Sequence, residues 1–121
     1  MKILVYGSDS FNDYATFMRG VVVAIQDNIT DNDGRIDIYT AGPHRINSFT
    51  AEFVNRSEDM LRQKKVRARF HRVKKAQVVE NFDNYDFDHL ISFNTKHDPK
   101  FFDLLLDKAE KKKIKSSYYK Y

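Results

Sequence analysis

The sequence contains no cysteine among its 121 residues, and no apolar run approaches the length of about 20 residues that a membrane-spanning helix needs. Without cysteine there is no disulfide, no thiolate nucleophile and no cysteine-ligated zinc or iron–sulfur cluster. The apolar run after Lys2 is only four residues long, which is too short for the core of a signal peptide. The sequence therefore predicts one domain over residues 1–121, located in the cytoplasm and without a membrane partner.

Several motifs of catalytic sites are also absent. The sequence has no Gly-x-Ser-x-Gly nucleophile elbow, no Walker loop and no complete Gly-x-Gly-x-x-Gly fingerprint. Its four histidines form no helical i, i+4 pair with a carboxylate, which argues against a metal site. Asp86 and Asp88 have the Asp-x-Asp spacing of phosphoryl-transfer enzymes, but the third carboxylate that those enzymes need is lacking. We predict no metal and no cofactor, and these absences favour a binding protein over an enzyme.

Charge is distributed unevenly along the chain. Residues 1–60 hold five basic and nine acidic side chains, whereas residues 61–121 hold 16 basic and eight acidic ones. Eight basic residues and no acid fall within the segment 62–75. We predict an interaction face there for nucleic acid or an acidic protein, formed by Lys64, Lys65, Arg67, Arg69, Arg72 and Lys74. A solvated edge strand, protected by its charges against edge-to-edge pairing, would have the same composition.

Apolar periodicity predicts five strands separated by helices. The strands are predicted at residues 2–6, 35–40, 66–73, 89–93 and 114–121. Asn47 or Ser48 is the predicted cap of the second helix, Asp98-Pro99 is the predicted start of the last one, and residues 74–86 are ambiguous, with a short helix as one interpretation. This alternation predicts an α/β fold, a three-layer Rossmann-like sandwich with a mostly parallel five-stranded sheet. Basic and apolar residues alternate in the third strand, which places it at an edge or with one face open.

Three loops follow the predicted carboxyl ends of the strands, where ligands bind in such sheets. Gly7 permits close backbone approach, Ser8 and Ser10 offer hydroxyl groups, and Arg45 offers a fork-shaped donor for a phosphate. The predicted ligand-binding residues are Gly7, Ser8, Asp9, Ser10, Phe11, Gly42, His44, Arg45, Asn47 and Thr95. Ordinary strand-to-helix turns and a surface arginine without a specific contact would explain the same residues.

The first two loops also carry a resemblance to a known family. Residues 7–13, Gly-Ser-Asp-Ser-Phe-Asn-Asp, resemble the Gly-Ser-Arg-x-Phe-x-Asp loop of a small Rossmann-like family in the SLOG superfamily, with Asp9 in place of the arginine. Residues 41–47 resemble the family's second loop, Gly-Gly-Ala-Arg-Gly-Ala-Asp, with one glycine retained and Asn47 at the position of the aspartate. The likeness in element order extends over nearly the whole chain.

The resemblance implies a small protein that binds a nucleotide or a nucleotide-derived ligand as a sensor or sequestering module. Some relatives hydrolyse nucleoside phosphates, but their Glu-containing Pro-Gly-Gly motif is absent, which implies a divergent, non-catalytic member. Relatives often pair, and Tyr118, Tyr119 and Tyr121 would suit a homodimer interface, although packing under a helix explains them equally well. The short chain, rich in Lys, Asn, Asp and Tyr, is typical of phage-encoded proteins, which would place it in the host cytoplasm.

Overall fold

The computed structural model describes residues 1–8, 10–28, 34–93 and 99–119. Its five strands are β1 Lys2–Gly7, β2 Arg35–Thr40, β3 Arg67–Arg72, β4 His89–Phe93 and β5 Lys115–Tyr119. They form one sheet in the order β3-β2-β1-β4-β5, and every neighbouring pair is parallel. The predicted α/β sandwich with a parallel sheet is confirmed, and β3 and β5 lie at the two edges.

The helices cover both faces of this sheet. They are α1 Tyr14–Asn28, α2 His44–Gln63, α3 Lys75–Glu80, α4 Phe82–Tyr85 and α5 Pro99–Lys111. The ambiguous segment 74–86 thus forms two short helices, and Pro99 begins α5 as predicted. None of these helices, in the part of the chain that the structure describes, has the length and apolar character needed to cross a membrane.

Two apolar cores lie on opposite sides of the central strands. Ile3 and Val5 of β1 pack toward α1 and α2, whereas Leu4 and Tyr6 pack toward α3, α4 and α5. A strand that is covered on both faces must be apolar on both, which explains the unbroken apolar run that marks β1 in the sequence. The last strand joins the first of these cores through Tyr119, whose ring stacks on Phe93 at 5.3 Å between ring centres.

The start of α2 differs from its prediction. The helix begins at His44, directly after Pro43, so neither Asn47 nor Ser48 caps it. The side-chain oxygen of Asn47 instead accepts a hydrogen bond from the hydroxyl of Thr40 at 3.0 Å. Because Thr40 is fully buried at the end of β2, its hydroxyl needs a partner inside the protein. The predicted cap is therefore wrong. Asn47 lies one turn inside the helix, and its side chain accepts the hydrogen bond of this hydroxyl.

Candidate functional site

The loops after β1 and β2 meet at the carboxyl edge of the sheet. The backbone N–H of Ser8 donates to the carbonyl of Phe93 at 3.0 Å, which ties the first loop to the end of β4. The guanidinium of Arg45 donates to the side-chain oxygen of Asn12, which ties the second loop to the first. The switch point of the strand order lies here, between β1 and β4. We call residues 8, 10–13 and 41–47 the loop edge.

Two of the predicted ligand-binding residues have packing roles. A Cβ atom at Gly7 would lie 2.7 Å from Cδ1 of Ile46 and 3.0 Å from the carbonyl oxygen of Phe93. The close approach that this glycine permits is therefore made by α2 of the protein itself. Phe11 is fully buried, with its ring centre 4.8 Å from that of Phe93. The prediction that Phe11 lines a ligand site conflicts with this burial, because its side chain belongs to the core.

The other predicted residues of the first two loops differ in exposure: Ser8 and Gly42 are buried, and Asn47 is half-buried. Ser10, His44 and Arg45 are exposed, and the hydroxyls of Ser8 and Ser10 lie 3.1 Å apart. Gly42 has a φ of +96°, a conformation that L side chains rarely adopt. The remaining predicted residues, Asp9 and Thr95, and the whole third loop at residues 94–98 lie outside the described residues.

Asp13 closes the first loop and caps α1. Its carboxylate accepts hydrogen bonds from the backbone N–H of Thr16 at 3.1 Å and from the hydroxyl of Thr16 at 2.7 Å. The hydroxyl contact is the main cause of a lowered pKa of Asp13, and the backbone contact adds to it. Asp13 therefore satisfies one of the free backbone N–H groups in the first turn of α1.

Replacement of Thr40 by valine should lower the free energy of unfolding by about 1–3 kcal/mol. The Thr40 hydroxyl donates to Asn47 and accepts from the backbone N–H of Gly42 at 3.1 Å, so valine leaves the Gly42 donor and the Asn47 acceptor without this partner. Urea unfolding measures the change. Thr50→Val is the matched control: Thr50 is equally buried and donates to the Ile46 carbonyl within α2, which keeps its helical hydrogen bond. Equal losses for the two variants would contradict this role.

The second candidate region is the basic edge, which we define as Lys64, Lys65, Arg67, Arg69, Arg72 and Lys74. All six side chains are exposed, and three of them lie on β3. Among the described strands β3 pairs with β2 alone, so the first of the two predicted alternatives, an edge strand, is confirmed. The register places Arg67 beside Arg35 of β2, whose guanidinium is paired with Asp37.

One buried carboxylate lies beneath this surface. Oδ1 of Asp37 lies 2.7 Å from Nε2 of His71 and accepts a hydrogen bond from Nε of Arg35 at 3.0 Å. The ring of His71 stacks on that of Tyr39 at 4.6 Å. Burial alone would raise the pKa of Asp37, but the hydrogen bonds from His71 and Arg35 outweigh it and hold the pKa below its ordinary value. Asp37 is therefore ionised at neutral pH, and its charge is met by Arg35.

Stability should depend on pH through Asp37. Since its pKa is lowered by folding, the ionised carboxylate stabilises the fold fully above about pH 3.8 and loses this effect as the pH falls through the lower folded-state value. Asp37→Asn should cost about 1 kcal/mol at neutral pH, because the Arg35 partner is 52% exposed and water screens the pair. The measurement is the melting temperature of the wild-type protein and of Asp37→Asn at a series of pH values from 7 downward. Asp103→Asn, at an exposed position, is the control. If the difference in melting temperature between the wild-type protein and Asp37→Asn stayed constant at acid pH, the stabilising role of the Asp37 carboxylate would be contradicted.

A groove of about 530 Å³ lies between α2 and the first half of β3. It is lined by Val54, Glu58, Leu61, Arg62, Val66, Arg67, Ala68 and Arg69. Glu58, the single acid of this lining, forms an ion pair with Arg62 at 2.7 Å. The groove was not predicted from the sequence, because its walls come from two separate elements. The apolar positions at the end of α2 were visible in the sequence, but their distance from β3 was not.

Comparison of the chain with protein-family models, with curated proteins and with solved structures finds no match. Among the described residues no group of three or more His, Asp or Glu side chains is placed to hold a metal ion. The loop edge contains the Arg45 guanidinium and serine hydroxyls beside the acceptors Asn12 and Asp13, whereas the side chains of the basic edge are all arginine and lysine.

Proposed function

We propose that the protein is an interaction module that binds an anionic macromolecule through the basic edge. One observation carries the proposal: β3 is an edge strand whose exposed arginines lie beside an open groove. Such a surface offers charge-assisted hydrogen bonds to carboxylates or phosphates. The partner classes are those predicted from the sequence, nucleic acid or an acidic protein.

The local charge balance supports this proposal over a merely solvated surface. Two acids that border β3 are already paired: Asp37, the register partner of Arg69, with Arg35, and Glu58 of the groove lining with Arg62. No such ion pair with an acid is described for Arg67 or Arg69, among the residues that the structure covers. The net charge that a polyanion meets at β3 is therefore positive, which favours both affinity and rate of association.

Binding to two labelled polyanions at increasing salt tests the proposal. The probes are a thymidine oligonucleotide and a glutamate-rich peptide, each followed by fluorescence anisotropy. At least one should bind at low salt, and the logarithm of its affinity should fall with the logarithm of the salt concentration, because binding releases counterions. Failure of both to bind at low salt would overturn the proposed function.

The loop edge supports a second candidate function, the binding of a nucleotide-derived ligand. The observation that favours it is the contact of Arg45 with Asn12, which holds an exposed guanidinium beside the loop that follows β1. A guanidinium at that position suits a phosphate group. The resemblance to the SLOG superfamily, and with it a sensing or sequestering role in the cytoplasm, belongs to this candidate.

A thermal-shift screen against nucleotides and ADP-ribose derivatives tests the second candidate. A ligand that binds the folded state alone raises the melting temperature, and Arg45→Ala should remove that rise. Arg45 is the informative position because it is exposed, whereas a side chain added at Gly7 would collide with Ile46 whether or not a ligand binds. Absence of a shift with every nucleotide at saturating concentration would rule out this function.

A further inference from the structure

The backbone of β3 is paired on its inner side. The N–H of Arg67 donates to the carbonyl of Gly34, and the N–H of Val73 donates to the carbonyl of Thr40. In a parallel strand the N–H and C=O groups of one residue point to the same side, and those of the next residue point to the opposite side. Residues 67, 69, 71 and 73 therefore direct these groups toward β2.

It follows that Ala68, Phe70 and Arg72 direct their N–H and C=O groups away from the sheet. Among the described residues no further strand lies on that side. Three donors and three acceptors thus repeat every second residue, at a spacing of about 6.6 Å. This spacing matches the backbone of another extended chain, which is the basis of recognition by strand addition.

The groove and its charges indicate what kind of chain would fit. Val54, Leu61 and Val66 supply apolar lining, while Arg67 and Arg69 supply positive charge at alternate positions of the same strand. Side chains of an added strand also alternate, so apolar residues on one face and acidic residues on the other would complement both features. Nucleic acid fits less well, because bases need open aromatic rings to stack on. On β3, Phe70 is half-buried with the Arg72 guanidinium 5.6 Å from its ring centre, and His71 stacks on Tyr39.

We infer that the partner is an acidic polypeptide segment that adds to the outer edge of β3 as a further strand, with its carboxylates paired to Arg67 and Arg69. The inference rests on the proposed function and names the partner class for the same surface. Backbone hydrogen bonds to Ala68, Phe70 and Arg72 would provide the part of the affinity that does not depend on the side chains of the partner. The acidic and apolar side chains would provide the selectivity.

Matched synthetic peptides test this inference. The probe is a short peptide in which Glu alternates with Val, and two variants carry N-methyl groups on one or the other alternate set of residues. The peptide whose methyl groups replace the N–H groups that face β3 should bind about tenfold more weakly for each hydrogen bond lost. The other methylated peptide loses only N–H groups that face solvent, so it should bind like the parent peptide. Amide hydrogen exchange should slow at Ala68, Phe70 and Arg72 when the parent peptide binds. Equal affinities of the two methylated peptides would overturn the inference.

A protein variant provides an independent arm of the experiment. Ala68→Pro removes an N–H that points outward while leaving the ladder to β2 intact, so it should weaken the parent peptide about tenfold. The melting temperature of Ala68→Pro shows whether this variant folds. If it does not fold, the comparison of the two methylated peptides with the wild-type protein tests the inference. Binding of the thymidine oligonucleotide without binding of the peptide would overturn this inference but leave the proposed function standing. Binding of neither would overturn both.

Discussion

Replacement of Phe93 by alanine should lower the free energy of unfolding by about 3–5 kcal/mol, the largest stability effect that we expect from a single substitution. Phe93 is fully buried at the end of β4. Its ring centre lies 4.8 Å from that of Phe11 and 5.3 Å from those of Phe17 and Tyr119. These rings come from the first loop, α1 and β5, so one deletion leaves a cavity where three parts of the fold meet.

Urea unfolding followed by circular dichroism measures this effect. A loss of about 3–5 kcal/mol is a large part of the total stability of about 5–15 kcal/mol that is typical of a single domain. Phe102→Ala is the matched control, since Phe102 is half-buried and pairs with the exposed Tyr118 at 5.6 Å, so its deletion removes less apolar surface. If Phe93→Ala cost no more than Phe102→Ala, the packing described for β4 would be contradicted.

The double charge reversal Arg67→Glu/Arg69→Glu should weaken the binding of the anionic partner about a hundredfold. Each charge-assisted hydrogen bond is worth about 1.5–3 kcal/mol, and the loss of two at the low end of this range gives a factor of this order. Repulsion by the two new glutamates adds to the loss. Both positions are exposed on an edge strand, so the melting temperature should change little.

The control for this prediction reverses two charges elsewhere. Lys100 on α5 and Lys115 on β5 are exposed and lie on elements at the opposite end of the strand order. Lys100→Glu/Lys115→Glu changes the net charge by the same amount as the arginine pair, so it reports the general effect of charge. Whichever of the oligonucleotide and the acidic peptide binds the wild-type protein serves as the probe. Equal losses in the two double variants would show that β3 has no special part in binding.

The sequence predicted the fold well because its signals were local. The unbroken apolar run of β1 and the alternation of residues 66–73 each reflect how many faces of a strand are covered, and both interpretations are confirmed. The cap of α2 was predicted wrongly for a related reason. Asn47 has the side chain of a good cap, but it is bound to Thr40, a residue seven positions away that is buried at the end of another element.

The candidate sites were less predictable because they depend on contacts between distant segments. Gly7 has the residue type of a phosphate-binding turn, yet the atom beside it belongs to Ile46. The lowered pKa of Asp37 depends in part on its contact with His71, 34 positions away, and that contact follows from the register of β2 with β3. Sequence alternation shows on which face of a strand a side chain lies. It does not show which strand is the neighbour.

A nuclear magnetic resonance titration of the labelled protein with the Glu–Val peptide tests most directly where an anionic partner binds. On our account, amide shifts change most at residues 64–74, along the basic edge and the outer side of β3. The residues of the loop edge, including Asn12 and Arg45, should remain unchanged. Shift changes concentrated at the loop edge, with residues 64–74 unaffected, would contradict the account.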